Sequence, residues 1–229
     1  MAVLNEWLVF SLILFVIWFI IFIFNRRVRN EMLIVSLFTM PFGLTEPLFV
    51  PEYWSPPSLF NLAVNTGFDI ESLIFSFAIG GIGSVIYESV FKVRHKKIDY
   101  SKLKPFRYRL HLLVIISSLP VFLALLFFTS LNSIYSTSIA MFIGALSTVI
   151  CRPDLKKKIF VGGLLFLGLY FLFFSFFNLI YPYAIERYWN LSVISGILIL
   201  GVPLEELIFA FTFGLMWSSI YEHVKGYKI

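Results

Sequence analysis

The chain has 229 residues, of which 59% are hydrophobic, 19% aromatic and 14% charged, with a net charge of +5. So little charge cannot clothe a water-soluble domain of this size, and long apolar runs of about 20 residues match the thickness of a bilayer's hydrocarbon core. The modest basic excess does not point to nucleic acid, and the single cysteine, Cys151, excludes an internal disulfide and a cysteine-based metal site.

In chain order, seven segments are predicted to span a membrane: roughly 6–25, 31–50, 70–92, 109–129, 133–151, 159–182 and 203–224. The first, Trp7 to Phe24, is read as a retained helix. It has no basic stretch before it and no small-residue cleavage site, and Arg26, Arg27 and Arg29 follow it. The connections alternate in charge. Those three arginines, the basic loop 92–109, Arg152 with Lys156–Lys158, and Lys225 with Lys228 hold 17 of the 18 basic residues on one side, and Arg187 stands on the other. The positive-inside rule then places the N-terminus outside and the C-terminus in the cytoplasm. The basic loops also attract anionic lipid head groups. The expected fold is an all-α polytopic membrane protein with seven transmembrane helices, located in the plasma (inner) membrane. Its expected parts are a three-helix repeat with its basic cytoplasmic loop over 1–108, a connector helix over 109–130 and a second three-helix repeat over 131–229.

Residues 71–88, ESLIFSFAIGGIGSVIYE, return as residues 205–222, EELIFAFTFGLMWSSIYE, at an offset of 134 with no gap. Ten positions are identical, among them Glu71/Glu205, Phe75/Phe209, Gly80/Gly214, Ser84/Ser218 and Glu88/Glu222. A carboxylate beside hydrocarbon is expensive, so its duplication suggests a duplicated half-unit with a shared kind of site. Spans 1–3 then correspond to spans 5–7 and run in the same direction, which implies parallel repeats about an axis along the membrane normal. Gly80 with Ser84, and Gly214 with Ser218, read as packing seams, between spans 3 and 7 or against spans 2 and 6. Tyr53-Trp54 and Tyr188-Trp189 occupy the outer loops of the two halves. Aromatic pairs at that depth are ordinarily interfacial anchors, and Trp54 and Trp189 are also carried as candidate substrate-binding residues.

Glu71 and Phe75 share a helix face, as do Glu205 and Phe209, while Glu206 points about 100° from Glu205. Pro203 suits the first turn of the last span, where its missing N–H costs nothing. A single glutamate at a helix start would be ordinary, favoured by the macrodipole and wetted by solvent. The pair Glu205-Glu206, echoed in part by Asp69 and Glu71, favours chemistry instead. With Glu46 and Glu52 these residues gather carboxylates in the outer half with almost no basic partner. Unpaired carboxylates in apolar surroundings tend to keep their protons, and a protonated acid facing hydrocarbon can donate to an apolar substrate. The apolar run 191–202 bears on this, since its burial would set the acids deep in the membrane. Tyr87-Glu88 and Tyr221-Glu222 read as cytoplasmic anchors or partners of nearby Lys and Arg.

Seven spans built from two three-helix repeats, with 203-PLEELIFAF-211 followed about ten residues later by Tyr221-Glu222, resemble the fused heterodimer-type lycopene cyclases. The resemblance covers nearly the whole chain. The family's acidic motif maps onto Pro203, Glu205 and Glu206. In the first half it maps onto Asp69, Glu71 and Ser72, where Asp69 replaces the proline and Ser72 the second acid. The resemblance implies a proton-initiated, non-redox cyclisation of carotenoid ψ end groups, with lycopene or a related isoprenoid as substrate and lipid as surroundings. It implies neither cofactor nor metal. Glu205, Glu206, Glu71 and Asp69 are then the candidate acids and bases, and Glu46, Phe75, Phe209, Trp54, Trp189 and Pro203 the candidate substrate-binding residues. Such a site needs an acid, a base, aromatic faces for a cation and a dry tunnel. Gly80, Gly81 and Gly83 lie inside a span and are not a phosphate loop.

Two other readings stand beside it. An intramembrane prenyl-protein protease also has a glutamate pair followed by phenylalanine, but Ala210 stands where that family has arginine. His95, His111 and His223 all fall at or near the cytoplasmic boundary. A proton-coupled transporter or lipid-binding scaffold could use parallel repeats and membrane carboxylates. Against it, the spans carry few polar groups to line a hydrophilic path.

Overall fold

The computed structural model describes residues 5–93, 96–97, 113–114 and 116–228. Most of the basic loop 92–109, the first residues of the fourth expected span, and His95 and His111 lie outside the described residues. The helices are α1 (Glu6–Phe24), α2 (Arg29–Thr39), α3 (Leu62–Thr66), α4 (Ile70–Phe91), α5 (Ser118–Phe128), α6 (Ser133–Cys151), α7 (Lys156–Ile180), α8 (Ala184–Tyr188), α9 (Leu204–Trp217) and α10 (Ile220–Lys225). Strands are two residues long. Among the described residues, four stretches are long and apolar enough to cross a membrane: α1, α4, α6 and Pro153–Ile180. The protein is all-α and membrane-associated.

The other expected spans come in pieces. α2 gives way to a 3-10 helix over Met40–Leu48, where Pro41 and Pro47 lack the N–H an α-helix would use. α9 ends at Trp217 and α10 begins at Ile220. Of the fourth expected span, α5 supplies an 11-residue helix packed against α6.

The chain forms two compact units, Met1–Ile82 with Phe171–Glu205, and Gly83–Tyr170 with Glu206–Ile229. In the first unit α1 buries Trp7, Phe10, Ser11, Leu14 and Trp18, a spacing of three and four that marks one helix face. Its other faces are equally apolar, so neighbours rather than polarity decide which face is inside. Phe10 meets Phe173, Phe174 and Phe177 at ring-centroid distances of 4.4, 5.1 and 4.9 Å. Such aromatic pairs contribute about 0.5–1.5 kcal/mol each beyond their burial. Trp18 donates Nε1–H to Ser36 Oγ at 2.8 Å. α2 approaches α4 closely at two glycines: a Cβ on Gly80 would collide with Thr39, and one on Gly81 with Ser36 and Trp18.

The second unit uses the same device. A Cβ on Gly214 would stand 2.7 Å from Phe166 Cβ, and one on Gly162 2.5 Å from Ser218 Cβ. Ala145, Leu155, Ile159 and Leu215 form a buried cluster. Beside it, the buried Lys158 is ion-paired with both Glu88 and Glu222. Those are the closing glutamates of the two copies of the duplicated segment, so one lysine serves both. A buried charge is tolerable only when it is paired in this way. Arg152 binds Asp154 at 2.7 Å and donates to the Tyr227 carbonyl at 2.6 Å.

Candidate active site

Glu71 and Glu205 open the two copies of the duplicated segment, and each holds a loop that leads into its own helix. Glu71 is fully buried, and its Oε1 accepts the Leu59 N–H at 2.7 Å and the Asn5 amide at 2.7 Å. Asn5 also caps α1, accepting the Leu8 N–H at 2.6 Å, so one carboxylate ties a helix start and a loop together. Glu205 is buried as well, and its Oε1 accepts the Ser195 N–H at 2.9 Å. The loop held by Glu205 continues into a hairpin in which Leu198–Ile199 pairs with Val202–Pro203. Leu200 and Gly201 turn it with φ of 50° and 82°, a two-residue turn that glycine makes affordable. The apolar run 191–201 is not buried in the protein; Leu200 is 79% exposed, while Val202 and Pro203 at the entry to α9 are buried.

Asp69 stands immediately before α4 and accepts the Ser72 N–H at 2.6 Å, which makes it a helix cap. Burial raises its carboxyl above the ordinary aspartate range; the Ser72 N–H and hydroxyl pull it down, and the charge of Glu71 pushes it up. Glu46, on the 3-10 helix, lies against Asp69 and the Ser72 hydroxyl. Close approach there needs Gly43, where a Cβ would stand 2.6 Å from the Ser72 carbonyl oxygen. Both Glu46 carboxyl oxygens are buried. Among the described residues no Lys or Arg is ion-paired with Glu46, Asp69 or Glu71.

The outer-loop aromatic pairs meet each other. Trp54 and Trp189 form an antiparallel bridge with ring centroids 5.2 Å apart. Ser55 N–H donates to the Tyr188 carbonyl at 2.8 Å, Asn190 N–H to the Tyr53 carbonyl at 2.9 Å, and Trp189 Nε1–H to the Tyr53 hydroxyl at 3.3 Å. Trp7 packs edge-on against Trp54 at 4.5 Å and lies 5.3 Å from Phe75. All of these residues belong to the first unit, as do Glu46, Asp69, Glu71, Glu205 and Pro203.

Glu206 and Phe209 belong to the second unit. Glu206 is buried and its Oε2 accepts the Tyr170 hydroxyl at 3.0 Å. Tyr170 is stacked 5.9 Å from Phe166 and lies 6.4 Å from Phe209, and the series continues through Phe213 to Trp217. A carboxyl enclosed in this way can give a proton to an alkene, and ring faces can stabilise the cation that results.

Sequence reasoning passed over Tyr170, Asn5, Ser195 and Lys158. Tyr170 had a weak signal, as the one hydroxyl in the run LLFLGLYFLFF over 164–174. Lys158 was hidden among three lysines that read as a solvated cytoplasmic charge.

No curated protein and no solved structure matches the chain. The profile of the lycopene cyclase family matches residues 5–90 and 132–224. These two segments make up most of the chain and contain both copies of the duplicated helix, one in each, and on that ground the chain belongs to the lycopene cyclase family.

Proposed function

We propose that the protein cyclises the ψ end groups of lycopene, or of a closely related carotenoid, to β-type rings within the membrane. Glu206 protonates the terminal alkene at C2. The cation at C1 is attacked by the C5=C6 double bond, which closes a six-membered ring between C1 and C6 and moves the charge to C5. A carboxylate then removes the C6 proton and the ring double bond forms. One proton is added and one is lost, so the step is an isomerisation, with no oxidant or reductant in its balance.

The observation that carries this reading is the buried Glu206–Tyr170 pair with aromatic rings packed on the phenol, in a chain of this family. Glu205 and Glu71 act mainly as loop latches. Glu46 and Asp69 supply a second pair of carboxyls for proton exchange, in the first half. Trp54, Phe75 and Trp189 in the first unit, and Phe209 in the second, offer aromatic faces to an apolar chain. The arrangement in the membrane is that of seven spans in two parallel three-helix repeats with a connector between them, the N-terminus outside and the C-terminus in the cytoplasm. The 17 basic residues on one side of the sequence map support that orientation.

The test is pigment analysis of lycopene-producing bacterial cells that express the chain or its Glu206→Gln variant. Cyclic carotene with the wild type, lost in the variant at equal protein level, is the expected result. Unchanged lycopene beside well-expressed wild-type protein would reject lycopene as substrate.

A further inference from the structure

The acid proposed above has a partner that the chemistry does not require by itself. Tyr170 lies in α7, 36 residues from Glu206 in the chain, and its hydroxyl reaches Glu206 Oε2 at 3.0 Å. Tyr170 is 2% exposed and Glu206 6%, so solvent does not mediate this contact. At the repeat offset of 134 the first half carries Ser36 and Ser72 in their places, so the duplicated sequence does not supply the pair twice.

We propose that Tyr170 is the positioning residue of Glu206. It determines which carboxyl oxygen carries the reactive proton, and it stabilises the carboxylate left when that proton departs. This rests on Glu206 being the acid.

The donor chemistry argues for it. The carbonyl oxygen of a neutral carboxyl is its better acceptor, so a phenol that donates to one oxygen favours the proton on the other. With Oε2 engaged as acceptor, the carboxyl proton of Glu206 sits on Oε1, and Oε1–H is the bond that breaks. As it breaks, its electron pair stays on the carboxyl group while the alkene π pair forms the new C–H bond. Negative charge then appears on a group already facing an O–H donor. A hydrogen bond to an ionised acceptor is shorter and about twice as strong as one to a neutral acceptor. Tyr170 therefore stabilises the transition state more than the ground state, which raises turnover rather than substrate affinity. The ring is held by Phe166 and Phe209, so little reorientation is needed when the charge forms.

The experiment compares wild type, Tyr170→Phe, Glu206→Gln and a chain with a ring-fluorinated tyrosine at position 170. Each is purified in lipid nanodiscs and read in two ways. Cyclisation of lycopene is followed against pH, with kcat and KM separated. Infrared spectroscopy follows the Glu206 carboxyl against pH, its band assigned by its loss in Glu206→Gln. Tyr170→Phe keeps the ring and removes only the hydroxyl. Its kcat is expected to fall about tenfold to a hundredfold with KM unchanged. Without the donor the carboxylate forms less readily, so the alkaline limb of the rate profile and the infrared titration both move to higher pH. The fluorinated phenol is a stronger donor and moves both to lower pH. An infrared titration identical in wild type, Tyr170→Phe and the fluorinated chain would overturn the proposal. So would a fall in rate with the pH limb unmoved, which is the mark of lost packing. Infrared shifts as expected with no cyclisation by the wild type would sustain the Tyr170–Glu206 link and reject the lycopene reading alone.

Discussion

The two copies of the duplicated segment agree at their first residue and diverge at the second. Glu71 and Glu205 do the same work, each accepting a backbone N–H from the loop upstream, 12 and 10 residues away. At the next position one copy has Ser72 and the other Glu206. Ser72 donates its N–H to the capping Asp69, within a group of carboxyls that includes Glu46. Glu206 takes a phenol from Tyr170. At the far end of the segments, Glu88 and Glu222 are ion-paired with the same lysine. At these three positions, the identical residues hold a loop or an ion pair, and the differing one stands where the chemistry is proposed. A duplicated carboxylate invites a catalytic reading because it is expensive in lipid, but a latch and a buried ion pair offset that expense equally well.

The sharpest way to break this comparison is to exchange each glutamate for its amide. Glu206→Gln is expected to lower cyclisation by about a hundredfold to ten-thousandfold, the usual worth of a general acid, measured by chromatography of extracted pigment. Glu205→Gln and Glu71→Gln keep a carbonyl oxygen to accept the loop N–H, so they retain most activity. An equal loss in Glu205→Gln would end the division between latch and acid.

The shared lysine comes next in size. Lys158→Met leaves Glu88 and Glu222 buried without their cation, at a cost of about 3–5 kcal/mol, read as a lower thermal unfolding midpoint in detergent. Replacing both glutamates by glutamine in the same chain is expected to recover most of that loss. No recovery would mean that Lys158 acts through its packing. Glu71→Leu and Glu205→Leu each take a buried acceptor from the loop upstream and are each expected to cost about 1–3 kcal/mol. Limited proteolysis of the two loops measures both, and unchanged sensitivity in either variant would contradict its latch. The smallest effect is that of Trp189→Phe, which removes the hydrogen bond to Tyr53 and keeps an aromatic ring, at about 1 kcal/mol. The same unfolding assay reads it.

Much of the local architecture could be read directly from the residues. The expected spans 70–92 and 133–151 meet helices Ile70–Phe91 and Ser133–Cys151 almost end for end. Uninterrupted apolar runs leave little else for the backbone to do in lipid. In the expected span 31–50, Pro41 and Pro47 make the second half a 3-10 helix, and Gly43 lets it approach Ser72, with Glu46 against Asp69. The paired aromatics at 53–54 and 188–189 were noticed as duplicates, yet that they clasp one another was out of reach.

By itself, then, the sequence determined the all-α membrane class, the alternation of charge along the chain and the duplication. These depend on run length, composition and self-similarity, which are properties of the chain read in one dimension. The tertiary structure alone decided which acid meets which partner. Tyr170 reaches Glu206 across 36 residues, Asn5 reaches Glu71 across 66, and Lys158 reaches Glu222 across 64. In a helix apolar on every side no polar stripe announces the inward face. Partnership there is set by which helix packs alongside, and close packing at Gly80, Gly162 and Gly214 makes that choice.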